Sequence, residues 1–186
     1  MKDLKGSRIV GGNTAWKRQA SDFYPTPPEA TQALLDFLKI PVGAVIWEPA
    51  VGAGHMAEVM KDNGLHVIGT DIQTGTDFLQ ADMPQGVNWI ITNPPFSLAE
   101  EFIRTANKHG VPFAMLLKSQ YWHAARRVSL FSDVTPAYVL PLTWRPDFMF
   151  GARGGGSPLM DVIWCVWLPC EHKTEYIPLQ KPTMKE

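Results

Sequence analysis

Four consecutive residues, Asn93-Pro94-Pro95-Phe96, bring an amide acceptor, a backbone carbonyl and an aromatic face to one point of the chain. The run before them, Val87-Asn88-Trp89-Ile90-Ile91-Thr92, is apolar and β-branched and reads as a short buried strand. Two prolines end it, because neither can donate to a sheet ladder and the first biases Asn93 away from helix. The tetrapeptide is therefore expected at a strand end. There the Asn93 side-chain oxygen and the Pro94 carbonyl can accept the two N–H bonds of an exocyclic amine. Phe96 offers a flat face on which the ring bearing that amine can stack. Such an amine is a poor nucleophile because its lone pair is delocalised. Acceptors placed out of its plane favour the pyramidal form, and so stabilise the attacking state above the ground state. A strand followed by a proline turn accounts for Pro94-Pro95 alone, but not for Asn93 and Phe96 around them.

A second group of residues suits ligand binding. Val42 to Trp47 reads as a strand that ends in Glu48-Pro49-Ala50-Val51-Gly52-Ala53-Gly54, with a helix from about Met56 to Asn63 stopped by Gly64. Strand, glycine turn and helix form the nucleotide-binding corner of an open α/β sheet. Gly52 and Gly54 allow a sharp turn and a close approach of backbone to ligand. The spacing differs from the Gly-x-Gly-x-x-Gly of nicotinamide and flavin enzymes, and no Walker-type lysine follows. The next strand, His66 to Thr70, ends in Asp71-Ile72. An acid at that tip can accept hydrogen bonds from both hydroxyls of a ribose, and Ile72 is placed to pack on the attached base.

Upstream, Thr26 with Glu29 three residues on reads as a capping box, with Pro27 at the first helical position. Ala30, Ala33, Leu34, Phe37 and Leu38 then supply an apolar face. A well-started helix leaves the preceding Phe23-Tyr24-Pro25 unexplained. Four elements thus follow one another: the Tyr-Pro-Thr-Pro loop, the Glu-Pro-x-x-Gly-x-Gly turn, Asp71 with Asp77-Phe78, and Asn-Pro-Pro-Phe. Together they resemble the S-adenosylmethionine-dependent DNA adenine N6-methyltransferases of the class I fold, in a compact form similar to those carried by phages.

That resemblance implies S-adenosylmethionine as the cofactor, adenine in DNA as the substrate, and Asn93, Pro94, Pro95 and Phe96 as the catalytic motif. It implies cofactor contacts from Phe23, Tyr24, Pro25, Thr26, Glu48, Pro49, Gly52, Gly54, Asp71, Ile72, Asp77, Phe78 and Asn93. In the family, the acid of an Asp-Phe-Leu at this spacing meets the cofactor's adenine amine and the ring meets its face; Asp82 is the runner-up for that acid. A sulfonium methyl needs no strong base, since the amine can lose its proton after transfer. The target base would be extruded from its stack. Asn88 departs from the family, which often has Asp there. The same tetrapeptide serves enzymes acting on RNA bases or on a protein glutamine amide, so those substrates stay open. A non-catalytic binding module of the same fold is the alternative of another class.

These residues need a scaffold. Leu98 to Lys108 reads as a helix with Leu98, Phe102 and Ile103 on its apolar face, and Val111 to Leu117 as a buried strand. Its exit carries Lys118, Tyr121, Trp122, Arg126 and Arg127, where aromatic and basic residues suit stacking and phosphate contact. A packed helix with solvated arginines is the plainer reading. Tyr138 to Leu142 and Asp161 to Leu168 read as the last two strands. The Gly-rich hairpin between them carries Arg145 and Arg153, which could approach a DNA backbone, and the tail after Pro169 reads as peripheral. The expected fold is α/β: a class I, Rossmann-like, seven-stranded and mostly parallel sheet with helices on both faces and an antiparallel last strand.

Residues 1–20 read as a mobile basic arm, and residues 21–186 as a single methyltransferase domain. The net charge of −1 hides a segregation. Residues 1–20 hold five Lys/Arg against one acid, residues 21–96 two against nine, and residues 97–186 ten against eight. An acidic middle suits a cationic ligand and basic flanks suit phosphate. No apolar run reaches membrane-spanning length, and Cys165 and Cys170 lack a Cys/His cluster that would suggest a metal. A cytoplasmic setting, bacterial or phage-infected, is expected. No large insertion of the kind that reads a target sequence is seen, so a short or relaxed target is expected; homodimerisation is left open.

Overall fold

The computed structural model describes residues 25–123, 125–149, 158, 160–170 and 173–184. The basic arm 1–20, Phe23, Tyr24 and Arg153 lie outside the described residues. Seven strands form one sheet: β1 (Val45–Glu48), β2 (His66–Gly69), β3 (Trp89–Thr92), β4 (Phe113–Lys118), β5 (Tyr138–Pro141), β6 (Val162–Trp167) and β7 (Glu175–Tyr176). Their order is β2-β1-β3-β4-β6-β5-β7. The first four run parallel, β6 is antiparallel to both of its neighbours, and β7 pairs parallel with β5. The strand of residues 161–168 is thus the antiparallel one, as expected. The seventh strand comes from the tail, where the sequence reading placed only peripheral chain.

Alternation along the strands builds two cores. Trp47, Ile90, Phe113, Met115, Leu117, Ile163, Cys165 and Trp167 face one side. There they meet Ala99, Phe102, Ile103 and Ala106 of α3 (Ala99–Lys108) and Leu130 of α4 (Val128–Asp133). Their sequence neighbours Ile46, Ile91, Ala114, Leu116, Val162, Trp164 and Val166 face the other side. They pack on α1 (Pro28–Leu38) and α2 (His55–Asp62) through Ala33, Leu34, Met56, Val59 and Met60. A period of two thus fills both layers, which is why these strands read as continuous apolar runs. Buried indoles stitch the layers by placing their N–H groups. Trp164 donates to the Ala30 carbonyl of α1 at 2.8 Å, and Trp47 to the Thr70 hydroxyl beyond β2 at 2.8 Å.

Several local expectations are corrected. Helix α1 begins at Pro28 with Pro27 as its N-cap, and no side chain caps it, so Thr26 and Glu29 form no capping box. Val42 is 82% exposed in the turn before β1. Leu98 belongs to a 3-10 turn (Phe96–Leu98) ahead of α3 and is 38% exposed, so it leaves the apolar face assigned to it. The departure at Asn88 has a structural role: its side-chain oxygen accepts the Val45 N–H at 2.8 Å, and its own N–H donates to the Val45 carbonyl. Among the described residues, no helix is long and apolar enough to cross a membrane.

Candidate active site

Because β1 to β4 run parallel, their C-terminal ends share one edge of the sheet, and the chemically notable residues leave the strands there. Glu48 closes β1, Asp71 follows β2, Asn93 follows β3 and Lys118 closes β4. A cleft opens at this edge, and the predicted residues Pro25, Thr26, Glu48, Pro49, Gly52, Asp71, Ile72, Asp77, Phe78, Asn93 and Pro95 all line it. Gly54 does not. It serves as the N-cap of α2 at φ 85°, a left-handed conformation in which its lack of a Cβ matters. Asp82, the runner-up acid, is absent from the wall, whereas Asp77 is on it.

The turn after β1 is tied to the end of β2 by one carboxylate. Asp71 accepts the Gly52 N–H on Oδ2 at 3.0 Å and the Gln73 N–H on Oδ1 at 2.9 Å. Ile72 beside it is 69% exposed on the cleft wall, an apolar surface open to a flat ligand. Asp77 starts its own turn by accepting the Leu79 N–H and a Gln80 side-chain N–H. Phe78 differs from expectation. It is 2% exposed, with its ring against Trp47 at 5.0 Å and Phe102 at 4.8 Å, so it supports the cleft floor from within the core.

Glu48 is the electrostatic anomaly of the site. It is 2% exposed, and one carboxyl oxygen, Oε2, has no partner among the described residues. Burial pushes its pKa up from 4.5 to about 8, against the opposing pull of Lys61 and the Ala57 N–H; Asp71 adds to the rise. A buried acid with a bare oxygen on a cleft wall suits a ligand that brings positive charge or N–H donors. With the glycine turn, Asp71 and Ile72, it makes a set of groups that fits S-adenosylmethionine: carboxyl oxygens to accept from N–H groups and ribose hydroxyls, and an apolar surface for a base.

Asn93 also lines the cleft, and its side-chain N–H donates to the Thr26 hydroxyl at 3.0 Å. Thr26 is 4% exposed, and this bond is where its hydroxyl goes instead of a helix cap. Pro94 and Phe96 are not on the cleft wall itself. The Phe96 ring turns toward the exit of β4, where the Lys118 ammonium lies 3.9 Å above its centroid. That is a cation–π distance.

The aromatic and basic loop after β4 is largely claimed by the fold. Tyr121 is 6% exposed with the Arg127 guanidinium 3.4 Å from its ring centroid, and Trp122 stacks on Phe131 at 4.0 Å. These three residues therefore do not form the stacking surface expected of them. Arg145 is paired with Asp161 at 2.6 Å on the surface. Arg126 is exposed, and Lys118 stays at the site. The sequence reading missed His55, Met56, Leu98 and Phe102, which also line the cleft. The first two follow the glycine turn directly, a signal that adjacency carried. Leu98 and Phe102 come from the chain after the tetrapeptide and were read only as helix face.

No protein-family model matches the chain, and no curated protein matches it in sequence. Solved structures match its fold. The methyltransferase subunit of a type I restriction-modification system from Streptococcus thermophilus is 12% identical at a TM-score of 0.61, covering 87% of this chain and 48% of that one. A Listeria monocytogenes protein described as a class I S-adenosylmethionine-dependent methyltransferase is 12% identical at a TM-score of 0.60, covering 88% and 67%. A Pyrococcus horikoshii protein described as an RNA methyltransferase is 13% identical at a TM-score of 0.55, covering 88% and 96%. The chain spans about half the length of the restriction-modification subunit. At these identities the likeness is one of fold: the chain adopts the class I, Rossmann-like methyltransferase fold.

Proposed function

We propose that the chain is an S-adenosylmethionine-dependent methyltransferase acting on the exocyclic N6 amine of adenine in DNA. The observation that carries this reading is that one cleft is lined both by Asn93, at the head of the amine-gripping tetrapeptide, and by the turn of Glu48, Gly52 and Asp71. The bound cofactor supplies an electrophilic methyl group on a sulfonium. The protein does the rest. Asp71 receives the ribose hydroxyls, Ile72 and Asp77 receive the adenine, and the acids of the cleft offset the cation. Asn93 and Pro94 accept the two N–H bonds of the target amine, which draws its lone pair out of conjugation. Phe96 takes the target ring once Lys118 has moved from its face. The conjugate acid formed by transfer loses its proton to solvent.

Lys118 and Arg126 are the cations best placed to meet nucleic-acid phosphate beside the site. Tyr121, Trp122 and Arg127 are held in packing contacts, so the loop after β4 keeps few side chains for reading base edges. We take this to favour a short or relaxed target sequence. The cellular setting proposed is a cytoplasm, bacterial or phage-infected, in which Cys165 and Cys170, both free, stay reduced.

The test is direct. The protein is incubated with methyl-labelled S-adenosylmethionine and, separately, DNA, RNA and protein pools, and the modified group is identified by mass spectrometry. N6-methyladenine in DNA is expected. Label in RNA bases or on a glutamine amide would keep the chemistry and correct the substrate; no label in any pool would refute the enzymatic reading.

A further inference from the structure

Glycine weakens a strand, because it loses the most chain entropy on folding and brings no side chain to pack. Strand β2, His66-Val67-Ile68-Gly69, nevertheless ends in one. Neither backbone nor burial asks for it. Gly69 is not among the glycines at positive φ, and it lies at the exposed end of an edge strand. What excludes a side chain there is a neighbour from a different turn. A Cβ placed on Gly69 would meet the side chain of Val51, with Cγ2 at 2.8 Å, Cβ at 3.2 Å and Cγ1 at 3.4 Å. Val51 belongs to the glycine turn after β1 and lines the cleft. Rotation about its χ1 can swing Cγ2 away but cannot move Cβ, whose place the backbone fixes.

Relief of that contact therefore needs a shift in the backbone of the turn or of β2. The two are laced together just beyond Gly69. Val51 donates its N–H to the Thr70 carbonyl at 3.0 Å, and Asp71 accepts the Gly52 N–H at 3.0 Å. Strand β2 is held in register against β1 from His66 to Gly69, and the Thr70 N–H donates to the Glu48 carbonyl at 2.9 Å. Whichever side yields, the spacing between Gly52 and Asp71 changes. We infer that Gly69 is a positioning residue for the glycine turn: the space left by its missing side chain seats Val51, and so sets Gly52 against Asp71. This rests on the proposed placement of S-adenosylmethionine in this cleft, and not on which amine is methylated.

The test is Gly69→Ala, made alone and together with Val51→Ala, which removes both γ carbons and with them the closest contact. Where the backbone admits it, exchanging glycine for alanine ordinarily stabilises a protein. Here we expect S-adenosylhomocysteine affinity, measured by calorimetry, to fall by ~10- to 100-fold, the scale of an ångström-sized misplacement. Thermal melts should show the variant still folded. In a Val51→Ala background, Gly69→Ala should cost little further, because the two changes act through one contact. Wild-type affinity in folded Gly69→Ala overturns the inference. Equal losses from Gly69→Ala with and without Val51→Ala overturn it as well, since the side chain met is then not that of Val51. If Gly69→Ala alone does not fold, the double variant decides. Recovery of both folding and affinity there bears the inference out, and failure of either refutes it. A wild-type protein that binds no S-adenosylhomocysteine takes the cofactor out of this cleft, and the inference with it. Wild-type binding that Gly69→Ala leaves untouched removes the inference alone.

Discussion

Two side chains that line the cleft, Asn93 and Glu48, are proposed to have separable tasks, and single substitutions should separate them. Asn93→Ala removes one proposed acceptor of the target amine and leaves Glu48 and Asp71 in place. Cofactor affinity should be retained while methyl transfer falls by ~10²–10³, the scale of losing one preorganised transition-state hydrogen bond. Transfer within a few-fold of wild type would remove Asn93 from the chemistry. Glu48 predicts a pH effect instead. Burial raises its folded pKa to about 8 from 4.5, so the folded state holds the proton more tightly than the unfolded state. Its contribution to stability is full below 4.5 and is lost as pH rises through about 8. Glu48→Gln, close in shape to the protonated acid, should melt like wild type in acid and above it at alkaline pH. Melting curves for the two proteins that stay parallel from acid to alkaline pH would show that burial does not control this group.

At the level of elements, the cleft is made by joining turns that belong to different strands. The loop after β1 would be held only by its own backbone if Asp71 did not reach it from beyond β2, taking the Gly52 N–H at 3.0 Å while also ordering the turn at Gln73. Asp71→Ala leaves both N–H groups without this acceptor and removes the proposed ribose contact. The site is solvent-facing, so water can replace part of the loss and overall stability should change little. Affinity for S-adenosylhomocysteine should fall by about tenfold or more, since hydrogen bonds to a charged acceptor are worth ~1.5–3 kcal/mol each. Asp71→Asn, which keeps one acceptor oxygen, should lie between. Calorimetric titration of the three proteins decides it, and equal affinities would show that the turn holds its shape unaided.

Across the molecule, acidic and basic groups occupy neighbouring parts of one sheet edge. Glu48, Asp71 and Asp77 line the cleft, and Lys118 with Arg126 stands at the exit of β4. A cationic cofactor and the proposed polyanionic substrate would thereby meet different surfaces. Nucleic-acid affinity should fall steeply with salt. Lys118→Ala and Arg126→Ala should each weaken binding evenly across sequences, and each should reduce the log–log salt slope for duplex DNA by about 0.9 if one phosphate contact is lost. Binding titrations at several salt concentrations test this. A slope unchanged in both variants would place the phosphate contacts elsewhere. Arg145, held by Asp161, is expected to matter less than either.

Much of the architecture was legible in the chain because local patterns encode it. Continuous apolar runs marked β1, β3, β4 and β6, the glycine turn marked the corner after β1, and two prolines marked the end of β3. Residues that act through distant partners were not legible. Thr26 has the local appearance of a helix cap, and only the fold brings Asn93 within 3.0 Å of its hydroxyl. Tyr121, Trp122 and Arg127 look like a nucleic-acid surface by composition, yet the packing of α4 through Phe131, and of Arg127 on Tyr121, claims them. Strand β7 has two residues, both exposed, and forms by pairing with β5, so it left no apolar signal to read. Periodicity belongs to the sequence because it records which face of an element is buried. The choice of partner for a hydroxyl, a guanidinium or an edge strand belongs to the tertiary structure, where chain separation no longer sets distance.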